Sequence, residues 1–504
     1  MTDSLPQRLA LVVAQRPSDY VEMRRCAKAL HAIGWRATML YVHEGTQATE
    51  ISALMQDMEG LRSTGVFNDS ILYVRGSESP SDRTGGVERF ETTMESAIAF
   101  LRRFVIGKRR NANQRSALWI LVRNWIDNII GAAATVMTYV RNARNFNAIV
   151  ARVDPDVIIL PEDVVGPITP LFVKAGHRRN IPSVILPYTI ANQQEAFRSL
   201  SSNPSYFLRN PANWIVAWFF PRWRMQEGAI SLVRLPAPYI LCQELMGTAP
   251  PDPWMMNSGY ANRVLVENEA MWNYYSSSGL PTSKMVVVGA IYDDQLAAHA
   301  ADKPNKRRML DAELGFDPAK PFLLIGGCPD QTSSCPPGFE FADMDDFCRA
   351  FAATLTPLKR DYNIAIRPHP NNPAMGVVFA TNGIAATQRD TAELVAISDF
   401  YIAFGSATIR WAIACAVPTV NYDVFHYAYD DYKNIDGVLN LDRFDDVRVA
   451  LGALSPDGTN VARLRAEIRR SAPRWGMLDG NSTVRIAAEI DALCRIGKAA
   501  RSTS

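Results

Sequence analysis

Residues 363–373 read NIAIRPHPNNP, a β-branched apolar run that halts at a histidine held between Pro368 and Pro370, in a chain with only 6 histidines. Such a run, stopped by proline, reads as a buried strand ending at Arg367, and the two prolines stiffen the loop that carries His369. The alternation continues outward on both sides. PFLLIGG (321–327), DFYIAFGS (399–406) and PTVNYD (418–423) read as strands; DDFCRAFAATLTPL (345–358), TAELVAIS (391–398) and ATIRWAIACA (407–416) read as helices. Strands alternating with helices are the pattern of a parallel sheet with helical crossovers.

The N-terminal half follows the same grammar. LALVVA (9–14), a helix from Asp19 to Ile33 and ATMLYV (37–42) form one βαβ unit, and VDPDVIILPEDVVG (153–166), PLFVKAGHRRN (170–180) and IPSVILPY (181–188) form a second. NRVLVEN (262–268) and KMVVVGAIYDDQL (284–296) follow, with Asp293 and Asp294 read as part of an interdomain turn. KPNKRRMLDAELGFDPAKP (303–321) is polar and Pro-punctuated, as an interdomain crossing should be. The expected fold class is therefore α/β, with two Rossmann-like doubly wound domains facing across a cleft. The expected boundary lies near residue 300, giving domains 1–300 and 301–504. Ligands of open α/β sheets bind at the carboxyl ends of strands, so functional residues are expected just after strands.

Composition narrows the classes. With 504 residues, 48% of them hydrophobic, and a net charge of +2, the chain can bury more than one core and has no broad basic groove for nucleic acid. Arg102, Arg103, Lys108, Arg109 and Arg110 cluster locally and read as a solvated helix end. Seven scattered cysteines do not form a disulfide framework or a zinc spacing, which fits a reducing cytoplasm, and MTDSLPQRLALVVAQRP (1–17) lacks a secretory pattern. ALWILVRNWIDNIIGAAATVMTYV (117–140) is long enough to span a bilayer. Arg123 and Asp127 argue against a span, and Leu118, Leu121, Val122, Trp125 and Ile129 give it the apolar face of a buried helix.

Three strand ends carry chemistry. His369 and Arg367 lie at one, and Gly326 and Gly327 end another. At the third, Gly405, Ser406, Ala407 and Thr408 bring hydroxyls and backbone N–H groups to the start of a helix, where a phosphate is favoured. In the N-terminal half, ILPEDVVGP (159–167) ends a strand in two adjacent carboxylates, Glu162 and Asp163, whose repulsion can raise one pKa into a range useful for a base.

RPHP, the Gly-Ser turn opening a helix, the VPTVNYD segment (417–423), KMVVVGAIYDDQL and RWGMLDGNSTVRIAAEI (474–490) together resemble the C-terminal domain of GT-B glycosyltransferases of bacterial surface polysaccharide synthesis. Within that group the resemblance is to enzymes with a His-Pro motif: sialyl- and Kdo-transferases and capsule or teichoic-acid polymerases. It covers roughly residues 280–490. It implies that His369 contacts the donor phosphate, that Ser406 and Thr408 hold the same phosphate, and that an acidic pair followed by glycine supplies the base. Here two valines separate Glu162–Asp163 from Gly166.

The expected function is an inverting, metal-independent transfer from a nucleotide sugar, first a CMP- or CDP-linked acidic sugar, to a growing glycan or glycolipid acceptor, with no cofactor. Asp163 is the expected base, with Glu162 beside it. A non-hydrolysing UDP-sugar 2-epimerase and a non-catalytic glycan-binding subunit are the alternatives. RNPANWIVAWFFPRWRM (209–225) interleaves aromatics and arginines and admits two readings, a core helix or a contact with the inner face of the plasma membrane.

Overall fold

A computed structural model describes residues 8–43, 48–74, 117–188, 193–333, 335–428, 431–456 and 458–502. The basic cluster at 102–110 lies outside them. The first sheet contains β1 (Leu9–Ala14), β2 (Arg36–His43), β3 (Phe67–Val74), β4 (Val157–Leu160) and β5 (Ser183–Ile185). A separate antiparallel ribbon pairs β6 (Arg224–Glu227) with β7 (Ile230–Val233). After β8 (Arg263–Val266) and β9 (Met285–Val287), the seven-stranded parallel sheet has the order β3-β2-β1-β4-β5-β8-β9.

The second sheet has six strands in the order β12-β11-β10-β13-β14-β15, from β10 (Phe322–Gly326), β11 (Asn363–Arg367), β12 (Ala385–Ala386), β13 (Phe400–Ala403), β14 (Thr419–Tyr422) and β15 (Val438–Leu441). β10, β13 and β14 are buried along their whole length, which is why they appear in the sequence as unbroken apolar runs. Their core is aromatic: Phe347, Phe351, Phe404 and Tyr422 pack on one face.

In each sheet the chain adds strands on one side, then returns to add them on the other. The direction switches between β1 and β4 in the first sheet and between β10 and β13 in the second. Side chains after these four strands occupy the crevices where open α/β sheets bind ligands.

The chain divides into two compact units. One comprises Met1–Ile185, Leu200–Asn262 and Leu493–Ser504; the other comprises Leu186–Ser199 and Arg263–Ala492. The longest run of the second unit starts at Arg263, and within it helix Glu269–Ser277 packs on helix Thr459–Trp475, and helix Asp293–Ala301 on helix Thr391–Ile397.

The segment expected as a polar crossing is instead a helix, Lys303–Leu314, with Pro304 in its first turn, where no N–H is required. Its charges are paired: Lys303 with Asp399, Lys306 with Glu393, and Arg307 with Asp311 and Asp399, while Leu310 is buried. Asp293 and Asp294 likewise open a helix. Asp293 accepts from the N–H groups of Ala290 and Met477, and Asp294 from those of Ser482 and Thr483. The long apolar segment is the helix Ala117–Val153; the apolar face read from Leu118 to Ile129 lies outside the residues whose side chains are described.

Candidate functional site

At the second switch point β10 ends in two glycines, and each lets a neighbour come close. The Gly327 N–H donates to the Arg367 carbonyl at 2.8 Å. A Cβ on Gly327 would lie 2.7 Å from the His369 nitrogen and 3.0 Å from Pro368 Cα, so only glycine lets the Pro-His-Pro loop lie against this strand end. On the other side, a Cβ on Gly326 would run into the Tyr401 hydroxyl. Tyr401 Oη is 2.6 Å from Thr408 Oγ1, which is 2.8 Å from Ser406 Oγ. The structure thereby brings Gly326, Gly327, the His369 loop and the Ser406–Thr408 turn to one sheet edge.

The turn is rigidly held. Gly405 takes a left-handed φ of 63°, and its N–H donates to Asn421 Oδ1 at 2.9 Å. Tyr432 Oη donates to the Ser406 carbonyl at 3.1 Å. Among the described residues no hydrogen bond uses the N–H groups of Ser406 and Ala407. The helix that follows, Ile409–Ala414, is shorter than the sequence suggests, so two free N–H groups and two hydroxyls, more than a helix dipole, define what this turn can hold.

His369 is half-buried, and its Nδ1 accepts the Asn371 N–H at 3.1 Å. Burial and the Arg367 charge hold its pKa below the usual histidine value, so the ring is neutral at pH 7. With Nδ1 an acceptor, the proton of the neutral ring is on Nε2, which is thus a donor. Arg367 itself is spent on the loop: its guanidinium donates to the carbonyls of Arg389 and Pro368.

The first switch point holds a second cluster. Glu162, just after β4, is buried and paired with Arg16, just after β1. Its other oxygen, Oε2, is buried without a hydrogen-bond partner among the described residues, and burial raises its pKa against the opposing pull of Arg16. Asp19 accepts from the N–H groups of Gln15 and Arg16 and so fixes the loop that aims Arg16.

Asp163 is also buried but is tied elsewhere. Its N–H donates to Asn257 Oδ1 at 2.7 Å and its carbonyl accepts the Asn257 N–H at 2.8 Å. A Cβ on Gly259 would fall onto the Asp163 carboxylate. Asp163 is one of the residues lining a cavity of about 370 Å³, with Lys174, His177, Arg178, Thr248 and Tyr260. The two adjacent carboxylates thus serve different surroundings instead of repelling one another at one point.

Sequence reasoning did not single out Arg16, Asn257 or Arg410. Arg410 is fully buried; its guanidinium bonds to Glu267 and to the Tyr188 carbonyl, and its Nε donates to the Ala407 carbonyl at 3.4 Å. Burial alone would lower its pKa, but the Glu267 carboxylate keeps it charged. It braces the Ser406–Thr408 turn from behind. The sequence held one signal for this pair, since VLVEN ends a strand in an acid just as ILPED does.

No family model and no curated protein matches the chain. Among solved structures, the protein assigned as a UDP-N-acetylglucosamine 2-epimerase in Listeria monocytogenes aligns over 97% of this chain and 96% of its own, at a TM-score of 0.50 and 9% identity. The fold is GT-B. The calicheamicin glycosyltransferase CalG4 aligns over 97% and 98% of the two chains at a TM-score of 0.49 and 16% identity. The UDP-GlcNAc 2-epimerase of Methanocaldococcus jannaschii aligns over 96% and 100% at a TM-score of 0.48 and 10% identity. At these identities the likeness is one of fold.

Proposed function

We propose that the protein is a glycosyltransferase that moves a sugar from a nucleotide donor to a glycan or glycolipid acceptor with inversion. The observation that carries this reading is the second switch point, where glycines 326 and 327 lie between a fixed histidine and a turn with free N–H groups and hydroxyls. Such a surface fits a phosphate. As the bond from the sugar carbon to the phosphate oxygen breaks, its electron pair passes to that oxygen. The Nε2–H of His369, the hydroxyls of Ser406 and Thr408 and the turn's N–H groups offset the charge, in a transfer that needs no metal.

The acceptor hydroxyl must lose a proton as its oxygen attacks. Asp163 is the better base of the two carboxylates, because it opens on a cavity while Glu162 is held by Arg16. Lys174, His177 and Arg178 beside it suit an acceptor that carries negative charge.

Turnover of the purified protein with a panel of nucleotide sugars and a glycan primer tests this. Asp163→Asn should abolish transfer and Glu162→Gln should be milder; reversed effects make Glu162 the base. A cytidine donor, the choice implied by the sequence resemblance, should be used first. Conversion of a free UDP-sugar without any acceptor would instead establish an epimerase.

A further inference from the structure

We propose that the helix Pro211–Phe219 and its flanking arginines bind the protein to an anionic membrane surface, independently of the reaction assigned above. The helix, PANWIVAWF, carries no charge, and its larger side chains point outward. Asn213, Val216 and Ala217 face the core, whereas Trp214 is 58% exposed, Ile215 50%, Trp218 70% and Phe219 64%. Surface helices ordinarily present the opposite arrangement, polar outside and apolar inside.

The rotation of this helix is not accidental. Asn213 is fully buried, its Nδ2 donates to the carbonyls of Ser205 and Phe207 at 2.8 and 3.0 Å, and its Oδ1 accepts the Ala237 N–H at 2.9 Å. Turning the tryptophans inward would break all of these bonds and leave the N–H of buried Ala237 without this acceptor. The reading of 209–225 as a plain core helix therefore fails for Trp214, Trp218 and Phe219 and holds for Trp223, which is completely buried and bonded to Glu244.

What covers the face follows from its chemistry. Trp218 and Phe219 meet edge to face with ring centroids 4.8 Å apart, forming one aromatic plate. Leu245, 85% exposed, stands on the helix Ala237–Leu245 that packs against this one. From Ser199 to Gln226 the chain has Arg209, Arg222 and Arg224 and no carboxylate. Arg222 is neutralised by Glu244, which leaves exposed Arg209 and Arg224 bracketing the plate. Tryptophan and phenylalanine flanked by arginine suit the boundary between acyl chains and anionic headgroups, and nine residues of helix can lie in that boundary but not cross it.

Co-sedimentation of the full chain with vesicles of phosphatidylcholine, with and without one-third phosphatidylglycerol, tests the proposal. Wild type should pellet with the anionic vesicles, less so in high salt, and weakly with the neutral ones. Trp214→Ser/Trp218→Ser/Phe219→Ser should lower the bound fraction at least tenfold on both, with only a small change in melting temperature because more than half of each residue is already exposed. Arg209→Glu/Arg224→Glu should lower binding to anionic vesicles only, and gives a second readout if the triple variant fails to fold. Wild type that stays in solution with both vesicles overturns the proposal. So does a light-scattering dimer that the triple variant converts to monomer, which would assign the face to a second copy of the chain.

Discussion

Replacing Gly327 by alanine adds one methyl group at the point where β10 meets the Pro-His-Pro loop. The new Cβ would lie 2.7 Å from the His369 nitrogen, 3.0 Å from Pro368 Cα and 3.1 Å from the Arg367 carbonyl oxygen, all main-chain atoms. Because non-bonded contacts relax only at about 3.5 Å, the loop must retreat by roughly 0.8 Å. The prolines on both sides of His369 leave it little freedom to do so locally. Overpacking of this kind costs about 1–3 kcal/mol, read as a melting temperature lower by several degrees. If the loop holds the leaving phosphate as proposed, a displacement of this size should slow turnover roughly 10- to 100-fold. Differential scanning fluorimetry with and without nucleotide, together with turnover, measures both effects. Gly452→Ala is the control, since its added methyl meets nothing within 4 Å. Wild-type melting and a wild-type nucleotide shift in Gly327→Ala would refute the close-approach argument.

His369→Ala should lower turnover by roughly two to four orders of magnitude while leaving the melting temperature unchanged. Arg410→Met strands the buried Glu267 carboxylate and should destabilise the protein by about 3–5 kcal/mol, with chemical denaturation as the readout. Asp293 has its pKa raised by burial to about 6, against the pull of the Ala290 and Met477 N–H groups, so the folded state binds its proton more tightly than the unfolded chain does. The stability this gives is complete below the ordinary aspartate pKa and is lost as pH rises through about 6. A shift of about two units is worth roughly 3 kcal/mol, so the melting-temperature gain of Asp293→Asn over wild type should grow between about pH 4 and pH 6 and level off above that. A constant offset across that range would show that burial does not raise the Asp293 pKa.

The strands at both switch points were legible because fully buried parallel strands leave unbroken apolar runs. The sequence suggested that His369 and Ser406 follow neighbouring strands, but in the sheet β10, ending in Gly326 and Gly327, lies between β11 and β13. The helix Lys303–Leu314 was not legible, because its polar face is satisfied by Asp399 and Glu393, carboxylates far along the chain. Arg16 escaped notice for the same reason, since its partner Glu162 belongs to another βα unit. The outward rotation of Trp214 and Trp218 depends on carbonyls that Asn213 finds at Ser205 and Phe207, and nothing in a hydrophobic pattern encodes that. Helix periodicity gives the spacing of a face, and only the polar partners give its direction.

Isothermal titration of the best-binding nucleotide into wild type, His369→Ala and Asp163→Asn tests most directly the claim that the β10–β13 edge holds the donor phosphate while Asp163 acts on the acceptor. The account predicts that binding falls at least tenfold in His369→Ala and is unchanged in Asp163→Asn. Equal affinity in wild type and His369→Ala, or loss of binding in Asp163→Asn alone, would contradict it.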